Sequence, residues 1–211
     1  MKKLITVLAM LVVLATAGVA TADILWDQTQ GYETWQLGFF NVIGPPGPWG
    51  MLVYTANDVV VPAGGWNMDS VTVVFDGFDP NWASSVTMAV LHVAPKDSGT
   101  PSYDPTTGTS VPVTVTILGN GFMEVTASGL GVFLAQGEYW IGLTPNAPDA
   151  NNIFVSVPAV GADSPSYDVN GFPPGWAFWA PGLDGAMRVE GDFGAVAVED
   201  NTFGSLKAIY R

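Results

Sequence analysis

The chain has 211 residues, 19 of them acidic and six basic, and its formal net charge at pH 7 is −13. An acidic surface of this kind repels phosphate backbones, so we expect no nucleic-acid partner. Cysteine is absent, which excludes disulfides, thiol catalysis and a lipid anchor on cysteine. Hydrophobic residues make up 48% of the chain and 25 residues are glycine, a composition typical of a turn-rich β protein.

The first segment, Met1–Ala22, is typical of a bacterial secretory signal peptide. Two lysines precede the apolar run Leu4–Ala17, which is too short for a stable membrane span. An A-x-A sequence ends this segment, so we expect cleavage between Ala22 and Asp23. No second apolar run is long enough to span a bilayer. The sequence therefore predicts a secreted protein without a membrane span in its mature chain, located outside the cell or at its surface, with the periplasm as the alternative.

The remaining chain reads as a succession of short strands. Val111–Pro145 is expected to form an antiparallel meander, because its side chains alternate and Gly119-Asn120-Gly121 favours a hairpin turn. Ala94–Ser110 is the longest stretch without a pattern. About ten closely spaced strands without a convincing helix predict an all-β domain over residues 23–192, a two-sheet antiparallel β-sandwich of jelly-roll type. Further strands are predicted at Gln36–Ile43, Met51–Thr55, Val59–Val61, Trp66–Phe75, Ser85–Val93, Ile153–Val157, Trp176–Trp179 and Ala186–Glu190.

Residues 193–211 differ from the strands before them. Phe203, Leu206 and Tyr210 follow a helical spacing, and Lys207 and Arg211 lie where a helix dipole favours cations. The pattern predicts a linker and a short amphipathic C-terminal helix. Two interpretations remain open: a helix that docks on a sheet edge, or a recognition tail for an export or attachment system.

Catalytic signatures are weak throughout the chain. The sequence contains no Gly-x-Ser-x-Gly elbow, and its single histidine, His92, lies in an apolar strand. We expect His92 to be a buried, hydrogen-bonded structural residue. Glu124, Glu138 and Glu190 are the strand-borne carboxylates that a polysaccharide-active enzyme could pair, but the sequence favours solvent-facing residues that aid solubility for each of them.

Calcium is the ion that the sequence favours most. Asp76, Asp79 and Asn81 place hard oxygen donors in one loop, and residues 149–152 do so in another. Asp, Asn and Gly are also the usual turn formers, so these loops need no metal. No cofactor is expected apart from a structural Ca²⁺ ion.

Aromatic residues give the best indication of a binding surface. Tyr167, Trp176 and Trp179 surround a Pro-Gly loop, and Trp49 lies in a second proline-rich loop. Exposed flat rings stack on sugar faces, whereas a sandwich without disulfides also needs tryptophan in its core. Both interpretations stay open for these four residues.

Three blocks of the sequence resemble exported bacterial β-sandwich ectodomains that carry a short C-terminal sorting or anchoring tail. These blocks are Val61–Phe75, Leu130–Leu143 and Ala186–Asp192, and Val198–Arg211 is similar to such tails. The resemblance implies an extracellular or cell-surface location, and it implies no catalytic residues. The tail lacks the membrane span and terminal arginine cluster of the common anchored pattern.

Together these features predict a non-enzymatic, exported structural or adhesive protein. The first alternative is a carbohydrate-binding module that uses loop aromatics, and the second is a polysaccharide-active enzyme. The partners expected on this basis are polysaccharides or cell-surface components, with the C-terminal tail docking on an export or attachment system.

Overall fold

The computed structural model describes residues 22–30, 32, 39–40, 43, 52–77, 85–119, 121–146, 154–156, 158–160, 165–168, 175–178 and 183–194. The first eight strands in these ranges are β1 (Asp23–Asp27), β2 (Phe39–Phe40), β3 (Val53–Thr55), β4 (Asn57–Val61), β5 (Trp66–Gly77), β6 (Met88–Pro95), β7 (Thr109–Gly119) and β8 (Phe122–Ala127). The next eight are β9 (Val132–Leu134), β10 (Gly137–Pro145), β11 (Phe154–Ser156), β12 (Pro158–Val160), β13 (Pro165–Asp168), β14 (Gly175–Phe178), β15 (Leu183–Gly185) and β16 (Met187–Phe193). No α-helix occurs in the described ranges, and one 3₁₀ helix spans Pro105–Thr107. The all-β prediction is confirmed.

The main antiparallel sheet is a path of eight strands, β1-β16-β5-β8-β7-β6-β10-β4, to which β9 and β11 add by pairing with β5. Strand β7 joins its two halves. Residues up to Pro112 pair with β6, and residues from Val113 onward pair with β8. One long strand therefore makes the two halves of the sheet continuous.

One hydrophobic core lies between the two halves of this sheet. Alternate residues of β5 and β8 face it from one side, including Val73, Phe75 and Val125. Ile141 and Leu143 of β10 contribute from the other half and are completely buried. Each such side chain stabilises the fold by about 1.5–3 kcal/mol, so the core is the main source of stability in this domain without cysteine.

The prediction of a meander over Val111–Pro145 is wrong beyond its first hairpin. β7 and β8 do pair, and Gly119 and Gly121 have the positive φ values that their turn requires. β9 pairs with β5 instead of β8, and β10 lies between β6 and β4. The physical reason is the burial of β10, which is buried on both faces from Trp140 onward. Such a strand belongs in the middle of a sheet, with a neighbouring strand along each edge.

A three-stranded sheet, β14-β13-β3, and a pair, β12-β15, complete the described strands. β3 continues into β4 through Ala56, which ties the small sheet to the edge of the main one. Asn57 extends this connection, since its amide donates to the Gly185 carbonyl oxygen (2.6 Å) and accepts from the Gly185 N–H (3.1 Å). The small sheet thereby brings β14 close to the outer face of β6.

β1 and β16 are the first and last of the described strands. β1 lies at the end of the main path, and its Trp26 packs against the core. β16 extends to Phe193, so the predicted linker begins later than expected. The signal segment before Ala22 and the predicted C-terminal helix lie outside the described residues.

Candidate functional site

His92 lies on the outer face of β6 and is 2% exposed. Its Nδ1 atom is 2.6 Å from the Tyr103 hydroxyl, and its ring lies directly over Gly142 of the neighbouring strand. Burial lowers the pKa of His92 from 6.5 to about 3, which outweighs the opposing effect of the Thr55 carbonyl oxygen. His92 is therefore neutral at physiological pH. The prediction of a buried, hydrogen-bonded histidine is confirmed.

Tyr103 belongs to the loop between β6 and β7, residues 96–108, which we call the clamped loop. The Trp176 indole N–H donates to the Tyr103 carbonyl oxygen (2.8 Å), so both ends of this tyrosine are held. Asp104 caps the 3₁₀ helix by accepting from the Thr106 N–H (2.9 Å) and hydroxyl (2.7 Å). The sequence predicted no structure here, because none of these contacts follows a strand or helix period.

Four rings form an aromatic cluster that consists of Tyr54, His92, Tyr103 and Trp176. The Tyr103 and Trp176 ring centroids are 5.2 Å apart, and the His92 centroid lies 5.7 Å from Tyr103 and 6.2 Å from Trp176. Tyr54 approaches His92 edge to face at 5.9 Å. Burial raises the pKa of Tyr103, and burial with the nearby Asp104 carboxylate raises the pKa of Tyr54. Both phenols therefore stay protonated at physiological pH.

A cavity of about 250 Å³ lies beside this cluster, between β6 and the clamped loop. It is lined by Leu91, His92, Val93, Tyr103, Asp104, Thr107, Gly108, Thr109 and Val132. Its polar groups, the Asp104 carboxylate and two threonine hydroxyls, accept and donate hydrogen bonds, while its valines and leucine offer an apolar wall. This combination suits a small ligand with hydroxyl groups and an apolar face.

A second group, the lysine cluster, comprises Asp58, Lys96, Glu138 and Trp140. Lys96 Nζ donates to Asp58 Oδ2 at 2.6 Å, lies 3.7 Å from Glu138 Oε2, and is 5.0 Å from the centroid of the Trp140 ring. Trp140 is 1% exposed. The sequence did not indicate this cluster, since its members come from two strands, β4 and β10, and from the start of the clamped loop.

A third group, the arginine cluster, accounts for the other two candidate carboxylates. Arg188 Nη1 lies 3.6 Å from Glu124 Oε1, and its Nε lies 3.1 Å from Glu190 Oε1. The Ser70 hydroxyl donates to Glu190 Oε2 at 2.9 Å. Glu124, Glu138 and Glu190 thus all lie near a cation, Glu138 at an exposed position and Glu124 and Glu190 at half-buried ones.

The predicted binding aromatics fall partly outside the described residues, as Trp49 and Trp179 do. Trp176 is half-buried, and its indole nitrogen is engaged by the clamped loop. Tyr167 of β13 pairs with Tyr54 of β3 on one side and with Trp176 of β14 on the other. The small sheet therefore aligns two of the predicted residues in one row with Tyr54.

Of the predicted calcium ligands, only Asp76 is described, near the end of β5, while Asp79 and Asn81 lie outside the described residues. Burial raises the pKa of Asp76. Among the described residues, no group of three or more His, Cys, Asp or Glu side chains is arranged to hold a metal ion.

No protein-family model matches the chain, and we found no significant similarity to a curated protein or to a solved structure. Within the part of the chain that the structure describes, no helix is long and apolar enough to cross a membrane.

Proposed function

We propose that this protein is an exported, non-enzymatic β domain that serves as a structural or adhesive module outside the cell or at its surface. The observation that supports this proposal is the position at which the first described strand begins. β1 begins at Asp23, the first residue after the expected cleavage site, and Asp23 pairs with Gly191 of β16. Removal of Met1–Ala22 would leave every described strand intact.

Export is tested by producing the full chain in a bacterium and measuring the intact mass and N-terminal sequence of protein from each cell fraction. We expect a chain that starts at Asp23 in the periplasm, the medium or the surface fraction. Substitution of Ala22→Arg should block this processing, because the A-x-A site requires small residues. Uncleaved cytoplasmic protein from the unaltered chain would contradict the proposal.

The cavity beside the aromatic cluster supports a second candidate function, the binding of a sugar unit of a polysaccharide. Asp104, Thr107 and Thr109 would accept and donate hydrogen bonds to sugar hydroxyls, and Val93 and Val132 would contact an apolar sugar face. The aromatics Trp49, Tyr167, Trp176 and Trp179 would extend this surface.

Retention on a panel of insoluble polysaccharides distinguishes the two functions. The test variant is Thr107→Val/Thr109→Val, since changing Trp176 would also release the clamped loop. The matched control is Thr114→Val/Thr116→Val, at exposed positions on β7. Retention that only the cavity variant loses establishes sugar binding, whereas equal behaviour of all three proteins removes that candidate.

The proposal also includes the sheet architecture, the C-terminal helix and the calcium ion that the sequence predicts. We infer a jelly-roll sandwich with a C-terminal helix that docks on the domain or on an export or attachment system, and a structural Ca²⁺ ion in the loop that begins at Asp76. Titration of the purified protein with Ca²⁺, followed by the thermal unfolding midpoint, tests the ion, and an unchanged midpoint contradicts it.

A further inference from the structure

The cavity beside the aromatic cluster has one charged side chain among the residues that line it. This side chain is Asp104, because burial keeps His92 neutral by lowering its pKa to about 3. Lys96, at the start of the same loop, does not compensate this charge, since its Nζ lies 2.6 Å from Asp58 Oδ2. A ligand in the cavity therefore meets a negative charge, in a chain whose formal net charge is −13.

Asp104 is fixed in place and keeps one carboxylate oxygen available. Its Oδ1 accepts hydrogen bonds from the Thr106 N–H (2.9 Å) and hydroxyl (2.7 Å). Within the described part of the chain, Oδ2 accepts no hydrogen bond, and the residue is exposed. The same carboxylate contributes to the raised pKa of Tyr54, so its charge acts on the aromatic cluster. One oxygen thus orients the carboxylate, and the other can accept a hydrogen bond from a ligand.

The wall that the clamped loop contributes to the cavity offers acceptors and few free donors. The backbone N–H groups of residues 106–108 all donate within the 3₁₀ turn itself. The Thr107 hydroxyl donates to the Asp104 carbonyl oxygen (2.8 Å), and the Tyr103 hydroxyl is engaged with His92 Nδ1. An anionic ligand would lack donors here and would face a like charge, whereas an ammonium group brings three donors of its own.

We propose that the cavity binds a ligand with a free amino group, and that the sugar unit it accepts is an amino sugar whose ammonium donates to Asp104. This inference rests on the second candidate function, the binding of a sugar, and specifies the class of that sugar. A hydrogen bond between ammonium and carboxylate is charge-assisted and stronger than one between neutral groups. Val93 and Val132 would contact the apolar face of the same ring. An N-acetylated sugar lacks the charge, and a uronic acid carries the opposite one.

Calorimetric titration of the purified full chain with four tetrasaccharides tests the inference. They consist of glucosamine, N-acetylglucosamine, glucose and galacturonic acid, and the titration is made at about pH 6, where an amine is protonated and His92 is not. We expect the glucosamine tetramer to bind at least about tenfold more tightly than the two neutral tetramers, and the acidic tetramer not to bind. Equal binding of the glucosamine and glucose tetramers overturns the amine assignment but leaves sugar binding in place. Failure of every tetramer to bind removes both.

Asp104→Asn tests whether this carboxylate holds the amine. The variant keeps an oxygen that can accept from Thr106 but loses the charge, so the preference for the glucosamine tetramer should disappear. Asp97→Asn is the matched control, because it changes the net charge equally in the same loop but does not line the cavity, and its preference should remain. Equal weakening in both variants would mean that net charge attracts the ligand, which overturns the assignment to the cavity. If Asp104→Asn unfolds, the comparison of tetrasaccharides on the unaltered chain still decides whether an amine is required.

Discussion

The Nδ1 atom of His92 and the hydroxyl of Tyr103 lie 2.6 Å apart, and this contact joins β6 to the clamped loop. Both side chains are removed from water, and a buried polar atom without a partner is costly. The pair therefore holds residues 96–108 against the sheet and forms one wall of the cavity.

We expect Tyr103→Phe to lower the free energy of unfolding by about 1–3 kcal/mol, because His92 loses its hydrogen-bond partner while it stays buried. Urea unfolding followed by tryptophan fluorescence measures this change. Tyr139→Phe is the control, since Tyr139 packs against the main core on the other face of the sheet. Equal effects of the two substitutions would show that the His92–Tyr103 contact contributes nothing specific.

The folded protein should become less stable as the pH falls through the titration range of His92. The pKa of this histidine is about 3 in the folded protein, compared with an ordinary value of 6.5. Below pH 6.5 the unfolded chain binds a proton that the folded chain rejects, so stability is complete above 6.5 and declines toward 3. The slope approaches about 1.4 kcal/mol per pH unit.

Unfolding free energies across this pH range test that slope, and His92 is the only histidine in the chain. In a His92→Gln variant the free energy of unfolding should no longer depend on pH above about pH 5, where carboxylates contribute little to that dependence. If the variant and the unaltered protein show the same slope there, the linkage to His92 is refuted.

Local patterns were sufficient to predict most of the long strands. The sequences of β5, β6, β8 and β10 show either alternating apolar residues or an apolar run, and both patterns can be recognised from neighbouring residues alone. Partner choice depends on which faces are buried, and this information is not local. The meander prediction is wrong for β9 and β10 for that reason. It assumes that strands which follow each other in the sequence also pair with each other in the sheet.

The candidate site was less accessible to sequence reasoning than the strands. The burial of His92 could be predicted from the apolar strand around it, and Trp176 was chosen for its ring. The contact between His92 and Trp176 depends on Tyr103, which lies in a stretch without periodicity. It also depends on the small sheet that contains β14. Lys96 could have been noticed for another reason: the chain has only six basic residues, and a half-buried cation requires carboxylate partners.

Gly142→Ala should destabilise the protein by more than about 2 kcal/mol. An added Cβ would overlap the Thr55 carbonyl oxygen and the His92 ring, and neither the backbone nor the tightly packed ring can move away freely. Gly99→Ala is the matched control, because nothing lies within 4 Å of the position that its Cβ would take. Thermal unfolding of both variants measures the difference, and a neutral Gly142→Ala would mean that the ring of His92 does not occupy this position.

Arg188→Met should lower the free energy of unfolding by about 1–2 kcal/mol, because it leaves the half-buried Glu124 and Glu190 without the cation that both contact. Adding Glu124→Gln to Arg188→Met should restore part of the stability at neutral pH, since one of the two carboxylates left without a cation is gone. Denaturant unfolding of the single and double variants gives this coupling. A double variant no more stable than Arg188→Met alone would show that the cation acts through the packing of its side chain and not through the two carboxylates.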